Sequence, residues 1–413
     1  MTGIAIAGAG ISGLTLALRL QQQGVDTTVY SAQTPDQIRS ARLLNLVARF
    51  EPTLARERQL GVNHWDFPDF AMFGAHVSVV GTPIAFWGAL PQPARFVDFR
   101  MYLARLLEDY AERGGDVVID RAPVAEAVRR SAAYDLVVVA GGRESSDLFP
   151  RDPSRSPYDR PQRVVCAGTF RGIAFPEPLG LSFNISPGAG EVFQSPVFTF
   201  GGRVSGVLFE GVPGGPFEPL VHMAYADDPV AFERHVLDLF RVHAPSIYER
   251  VDQAEFGLTR PVDLLQGAII PTVRRAWTPL GSGRFAVAVG DAWIVNDPLT
   301  GQGANLGSHC AWVLAESILD DAVYDELFCR QVEERMWRMA GPVTEWSNAF
   351  LLPPPPHVVE LLGAAAADPA VADALVGGFA DPQVMWRRVA TPERAAAFLA
   401  AARSTVPVSP AGR

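Results

Sequence analysis

A short apolar run, Gly3 to Ala7, leads directly into Gly8-Ala9-Gly10-Ile11-Ser12-Gly13, and a helical pattern continues to about Gln23. A strand that turns this sharply into a helix leaves few folds open. Gly8 permits the tight turn, Gly10 admits a pyrophosphate against the backbone, and Gly13 lets helix and strand pack closely. The helix amino terminus, with Ile11 and Ser12 in its first turn, offers free N–H groups to phosphate oxygens. The spacing alone is a common turn; in this strand-turn-helix setting it points to dinucleotide binding. A second strand, Val25 to Tyr30, follows. The acidic residue that would hold the ribose at its end is missing, and Tyr30-Ser31 stand there instead. Either water or a neighbouring group substitutes, or the grip on the adenosine half is loose, as suits a cofactor that comes and goes.

At 413 residues the chain exceeds the usual size of one core, so two or more domains are expected. A hydrophobic content of 48% with 19% charged residues is that of an ordinary globular protein. The net charge of -10 comes with scattered basic residues and no basic stripe, which argues against nucleic acid and anionic membranes as partners. No stretch reaches the length of a membrane-spanning helix. The amino terminus lacks a basic region, so no signal peptide is expected. Cys166, Cys310 and Cys329 have no metal-like spacing and read as reduced, buried thiols of a cytoplasmic protein, with no metal site. All 35 Lys+Arg residues are arginine, and this excludes Schiff-base chemistry, Walker A nucleotide hydrolysis and any lysine-dependent mechanism.

Two later segments extend the nucleotide reading. The apolar strand Leu136 to Ala140 closes on Gly141-Gly142; it is either the strand that approaches the adenine side of a flavin nucleotide or an unrelated buried parallel strand. Gly290-Asp291 follows the strand Arg284 to Val289, with Asp291 seven positions before Pro298 and ten before Gly301-Gln302-Gly303. In FAD proteins of the glutathione-reductase/p-hydroxybenzoate-hydroxylase type, such an Asp accepts a hydrogen bond from a ribityl hydroxyl. The segment from Asp297 to Gly303 then runs beneath the isoalloxazine ring. The helix that begins near Gly303 aims its N–H groups at flavin N1 and O2, where reduced flavin is negative. Together with the first motif, this spacing favours FAD over NAD.

Between these segments the texture changes. Leu181-Ser182-Phe183-Asn184-Ile185 and Val197-Phe198-Thr199-Phe200 alternate between Gly and Pro turns, which predicts an inserted antiparallel sheet. Helices are expected over Arg100 to Arg113, Pro229 to His243 and the alanine-rich last seventy or so residues, broken at Pro353 to Pro356, with a frayed tail from Ser404. The fold class is therefore α/β: a Rossmann-like FAD-binding domain, an inserted antiparallel β-sheet substrate domain and a helical C-terminal region. The expected division gives the FAD domain residues 1–74, 95–163 and 262–345, the substrate domain 75–94 and 164–261, and the helical region 346–413.

The chain resembles the oxygenase component of two-component styrene and indole monooxygenases. The matching residues include Arg42-Leu43-Leu44-Asn45 with Val47, Pro161-Gln162-Arg163 with Cys166, and Ser186-Pro187-Gly188. They continue through Asp227-Asp228-Pro229, Leu264-Leu265-Gln266-Gly267, Gly290-Asp291, Asp297-Pro298 and Gly301-Gln302-Gly303-Ala304-Asn305. The resemblance implies FAD that arrives as FADH2 from an NADH-dependent flavin reductase. It implies that O2 forms a C4a-hydroperoxide, which epoxidises an aryl alkene or the indole 2,3 double bond. It assigns Asn45 to the reacting edge of the flavin and Val47 to the pocket wall, and it leaves room for a homodimer.

Leu46, Arg49, Met72, Ala75 and Ala94 match neither the styrene-type nor the indole-type set in full. Asn296 and Thr300 place polar groups in the flavin loop where aliphatic ones are expected, so the substrate stays open between styrene-like and indole-bearing molecules. The sheet aromatics Phe183, Phe193, Phe198 and Phe200 are read as one apolar pocket wall, although each alone is as readily core. His76, His222 and His309 read as structural. A single-component NAD(P)H hydroxylase would carry an Asp-Gly motif where Gly141-Gly142-Arg143-Glu144 stand. A flavin halogenase would need a lysine, and a non-catalytic FAD-fold protein would have no use for the flavin loop.

Overall fold

The computed structural model describes residues 3–141, 147–321 and 323–404. Gly142, Arg143 and Glu144, and the expected tail beyond Ser404, lie outside the described residues. The chain forms two compact units, each drawn from three stretches: Met1–Asp66, Val97–Gln162 and Ile269–Thr344 in the first, and Phe67–Phe96, Arg163–Ala268 and Glu345–Arg413 in the second. The second unit thus begins at Phe67 rather than residue 75, and the helical C-terminal region belongs to it.

The first unit is built on a six-stranded sheet. Its order is Trp277–Gly281, Arg284–Ala288, Leu136–Val139, Ile4–Ala7, Thr27–Ser31 and Asp116–Ile119. All pairings are parallel except the Trp277–Gly281 edge. Ile4–Ala7 and Leu136–Val139 are apolar at every position and fully buried, as central strands covered on both faces must be. The Ile11–Gln22 helix packs against the Gly303–Asp320 helix. The Phe99–Glu112 helix starts at Asp98, whose carboxylate accepts from the Arg100 N–H at 2.9 Å. Cys310 and Cys329 are buried free thiols, and burial pushes both up to about 12.

The second unit holds a larger sheet. Along it run Gly257–Leu258, Val164–Arg171, Gly202–Gly211, Gly190–Thr199, Leu181–Ser186, Ala71–Val79 and Ala85–Phe96, with Leu264–Ala268 also paired to Val164–Arg171. The expected antiparallel sheet forms, and the Ala71–Val79/Ala85–Phe96 hairpin extends it through a parallel pairing of Val77 with Phe183. One face is covered by the Pro229–His243 helix, which places Phe232, Val236, Leu239 and Phe240 against Cys166, Phe170, Val192, Val207 and Phe209. Asp228 caps that helix by accepting from the Ala231 N–H at 2.9 Å, with Pro229 at its first position. The Asp-Asp-Pro match read in the sequence is therefore a helix start. Arg163, from the Pro-Gln-Arg match, makes a buried ion pair with Glu191 at 2.9 Å and donates to the Leu351 carbonyl at 3.2 Å.

The Pro369–Gly377 helix lies on the hairpin strand Ala85–Phe96. Asp373 accepts from the Ala89 N–H at 2.7 Å. A Cβ on Gly88 would stand 2.5 Å from the Ala372 carbonyl oxygen. Backbone cannot yield as a side chain end can, so Gly88→Ala should lower the free energy of unfolding by about 1–3 kcal/mol in denaturant titration.

Candidate active site

The three glycines of the first motif divide as dinucleotide binding requires. Gly8 has φ of 119°, and a Cβ there would stand 2.6 Å from the Gly141 nitrogen. A Cβ on Gly13 would overlap the Gly8 carbonyl oxygen. At Gly10, by contrast, a Cβ would meet nothing within 4 Å among the described residues. Two glycines are needed for packing, and the third leaves room for a phosphate at the mouth of the Ile11–Gln22 helix. Ser12 joins this motif to the distant one. A Cβ on Gly290 or on Gly307 would overlap its hydroxyl, so the helix starting at Ile11, the Gly290 turn and the Gly303–Asp320 helix meet closely around Ser12.

Gly290–Ala292 forms a single 3-10 turn after the Arg284–Ala288 strand, with Gly290 at φ 62°. Asp291 is solvent-accessible yet ringed by protein. That surrounding raises its carboxyl above the usual range, and the Arg274 guanidinium opposes the shift. The Pro298–Thr300 turn is fixed by Asp297, which accepts from the Leu299 N–H at 3.1 Å. Gly301, at φ 64°, and Gly303 both face open space among the described residues. Gln302 is buried and donates to the Thr300 carbonyl at 3.2 Å. Ala304 and Asn305 open the helix.

Asn305 is a tie between two segments. Its Nδ2 donates to the Ala48 carbonyl at 2.8 Å and the Gly301 carbonyl at 3.2 Å. Its Oδ1 accepts from the Thr53 hydroxyl at 2.8 Å and the Phe50 N–H at 3.2 Å. The Arg42-Leu43-Leu44-Asn45 segment, irregular in backbone, is therefore held at its far end against the loop. Its near end is held by Arg100. This guanidinium is fully buried against Asp98 at 3.0 Å and donates to the Ala41 carbonyl at 3.1 Å. Within the segment Leu43 is buried, Leu44 half-buried and Arg42 exposed. Val47 is buried. Among the described residues, Asn45 Oδ1 is buried without a hydrogen-bond partner.

Sequence reasoning missed the cluster around Arg49. Arg49 is fully buried, 2.8 Å from Glu57 and 4.1 Å above the Tyr102 ring, while the Tyr102 hydroxyl donates to Glu57 at 2.8 Å. Burial raises the Glu57 carboxyl and Arg49 draws it back. Nothing in the linear spacing of 49, 57 and 102 signals this cluster.

The polar pair in the flavin loop is buried: Asn296 at 8% exposure and Thr300 at 3%. Both Asn296 amide atoms lack a hydrogen-bond partner among the described residues. The aromatic wall needs correction. Phe183 stacks on Phe193, with centroids 4.5 Å apart. The register from Gly190 to Thr199 is unbroken, so Phe193 and Phe198, five residues apart, point to opposite faces of the sheet. Phe198 packs edge-on against Phe70, and Phe200 lies in the following turn, 45% exposed beneath Arg260. The four rings do not share one wall.

At the second strand's end, the Tyr30 hydroxyl pairs with that of Tyr134 at 2.7 Å and the Ser31 hydroxyl donates to the Gln33 carbonyl at 2.7 Å. Burial and the neighbouring Arg56 push His309 down to about 4, so it is neutral at pH 7; His76 donates to the Pro178 carbonyl and His222 is exposed. Among the described residues no helix is long and apolar enough to cross a membrane.

Comparison with known proteins is specific. A family model for the styrene monooxygenase A substrate-binding domain matches residues 141–250. Styrene monooxygenase StyA of Pseudomonas fluorescens is 37% identical over 398 residues, covering 95% of this chain and 96% of the relative. Among solved structures, the flavin-dependent brominase Bmp2 superposes with a TM-score of 0.67 at 12% identity, covering 97% of this chain and 98% of its own. A flavoprotein/dehydrogenase from Cytophaga hutchinsonii gives 0.68 at 14% identity, covering 97% and 99%. At such identities these two establish the fold alone.

Asn305→Ala removes four hydrogen bonds at once and should cost about 2–4 kcal/mol in unfolding free energy. Asn305→Asp, which keeps both acceptor contacts, should fall between that variant and the wild type in the same denaturant titration.

Proposed function

The chain belongs to the styrene monooxygenase family of FAD-dependent monooxygenases, and from that premise we propose that it is the oxygenase component of a two-component system. In this reading it takes up FADH2 released by a separate NADH-dependent flavin reductase and adds one atom of O2 to an aryl alkene or to the indole 2,3 double bond, the other atom leaving as water as FADH2 becomes FAD. The observation that carries the reading is the pairing of one open glycine cradle with a loop built for a flavin ring and a tightly held Arg-Leu-Leu-Asn segment. No second glycine-rich strand-turn-helix unit for NADH is present in the sequence.

The residues fit the cofactor. Gly10 leaves space for the pyrophosphate at the helix mouth, with Gly8, Ile11, Ser12 and Gly13 shaping the turn and Gly141 beside it. Asp291 offers an accessible carboxylate to a ribityl hydroxyl. Gly301 and Gly303, with Pro298, Gln302, Ala304 and Asn305, would hold the flavin ring, together with Arg42, Leu43 and Leu44. Bound reduced FAD supplies the electrons that activate O2. The protein's own contribution is position and dryness. Asn45 offers an unsatisfied carbonyl oxygen to a donor at the reacting edge, and Val47 contributes apolar wall. Transfer of oxygen to an alkene needs no acid–base pair, so no histidine is given a catalytic role.

Two outcomes test this. With FAD and NADH alone, the purified protein should oxidise NADH no faster than the mixture without it. An unrelated flavin reductase held behind a dialysis membrane should then restore oxygenation of styrene or indole, detected by mass spectrometry. Rapid NADH consumption by the protein alone, stimulated by substrate, would assign it to the single-component hydroxylases. Separately, Asp291→Ala should weaken FAD binding about 10- to 100-fold, the worth of a hydrogen bond to a charged group, with thermal unfolding unchanged. An unaltered FAD titration would remove Asp291 from the cofactor site.

A further inference from the structure

Arg274 is placed by strand register. Thr272 pairs with Val295 and Val273 with Ile294 in an antiparallel ribbon, and the Arg274 N–H then donates to the Trp293 carbonyl at 2.8 Å. From there the half-buried guanidinium reaches the Gly290–Ala292 turn, where Nη1 donates to the Asp291 carbonyl at 3.3 Å. Among the described residues that is the guanidinium's one hydrogen bond, and no carboxylate stands within ion-pair distance of it. Most of its N–H groups are thus open. Arg151 stands opposite Arg274 across an antiparallel bridge, and its own guanidinium turns to the Ser156 carbonyl at 3.0 Å. Like charges directly opposed on a strand pair are unfavourable, and burial pulls the Arg274 guanidinium below its ordinary value. Local packing gives no reason for a cation here.

Asp291 supplies the reason. Its carboxyl is raised by the surrounding protein, and the one charge that draws it back is Arg274. The Ile294–Val295 strand, packed on the turn, is apolar, and the Gly303–Asp320 helix meets Gly290 through Gly307. The first titratable side chain of that helix, His309, lies beside Arg56 instead. Asp297 accepts from the Leu299 N–H, and Arg284, on the strand before the turn, pairs with Asp135 at 2.9 Å. Among the described residues neither carboxylate oxygen of Asp291 accepts a hydrogen bond. We propose that Arg274 is a positioning residue that keeps Asp291 a carboxylate, with both oxygens free for a ribityl hydroxyl of FAD. Once a ligand covers the site that carboxylate loses water, and burial then favours the neutral acid. A nearby cation opposes this through a poorly screened interior. Standing outside ion-pair distance, it does so without occupying either oxygen as a direct bridge would. The inference deepens the assignment of Asp291 to the cofactor and rests on it.

The readout is the FAD dissociation constant of the full chain, titrated at equilibrium from about pH 9 down to about pH 5. At the alkaline end Asp291 is ionised with or without Arg274, so wild type and Arg274→Gln should agree within about twofold. As the pH falls the wild type should lose about tenfold in affinity when the carboxylate takes up a proton. The variant should suffer the same loss at a higher pH, because without the cation burial alone sets the Asp291 carboxyl. Arg274→Lys, which keeps the charge, should return the profile toward the wild type. Arg274→Met removes the same charge if the glutamine variant does not fold. Asp291→Asn should bind FAD weakly at every pH, and adding Arg274→Gln to it should leave that flat profile unchanged. An Arg274→Gln profile that coincides with the wild type would overturn the proposal. So would a loss by the same factor at every pH. The pyrophosphate of FAD is a diester without the second ionisation of a monoester near about pH 6, so a uniform loss would make Arg274 a direct phosphate ligand. If Asp291→Asn binds FAD as the wild type does, the cofactor assignment itself fails. If binding needs Asp291 but ignores the charge at 274, this inference fails alone.

Discussion

The first unit depends on how closely three backbones can approach Ser12. Its hydroxyl fills the space that a side chain on Gly290 or Gly307 would need, and Gly13, one residue on, leaves no room beyond the Gly8 carbonyl. Close packing of this kind has no slack, since interiors are filled to crystal-like density. The glycine turn at the start of the chain and the loop that follows Gly290 therefore meet within one unit.

Around that fixed point the protein places its least regular segment. Residues 41–50 have almost no secondary structure of their own, yet Arg100 holds one end and Asn305 the other. Burying Arg100 and Arg49 is tolerable because each has a carboxylate, and Arg49 also rests on an aromatic face. An irregular segment so secured can hold a side chain such as Asn45, whose Oδ1 has no hydrogen-bond partner among the described residues, in a constant position.

Much of this was legible in the chain because it is local. The glycine spacing, the apolar strands and the starts of the Pro229–His243 and Gly303–Asp320 helices are encoded within a few residues of where they act. The matches quoted from the sequence divide into two kinds once contacts are seen. Asp228 and Arg163 serve helix capping and a buried ion pair, whereas Asp291 is exposed and Asn45 Oδ1 is buried with no hydrogen-bond partner among the described residues. What the sequence concealed is nonlocal. The Arg49–Glu57–Tyr102 cluster joins three elements, and the parallel pairing of Ala71–Val79 onto Leu181–Ser186 has no turn to announce it. The single aromatic wall failed for a simpler reason: alternation was read across an odd separation, and five residues along a strand reverse the face.

The strand Ala85–Phe96 waits for its cover. Ala89 is bonded to Asp373, 284 residues later, and the bare Gly88 has the Pro369–Gly377 helix as its neighbour. During synthesis on a ribosome, that hairpin emerges early and stays uncapped until nearly the whole chain has been made. A nascent intermediate therefore presents a half-covered sheet for most of translation, at elongation rates of about 5–20 residues per second. Long-range closure of this kind slows folding, because the entropy of the intervening loop must be surrendered before the contact forms. Recombinant yield should then be governed by what shields the hairpin in that interval, a kinetic matter separate from the stability of the finished protein.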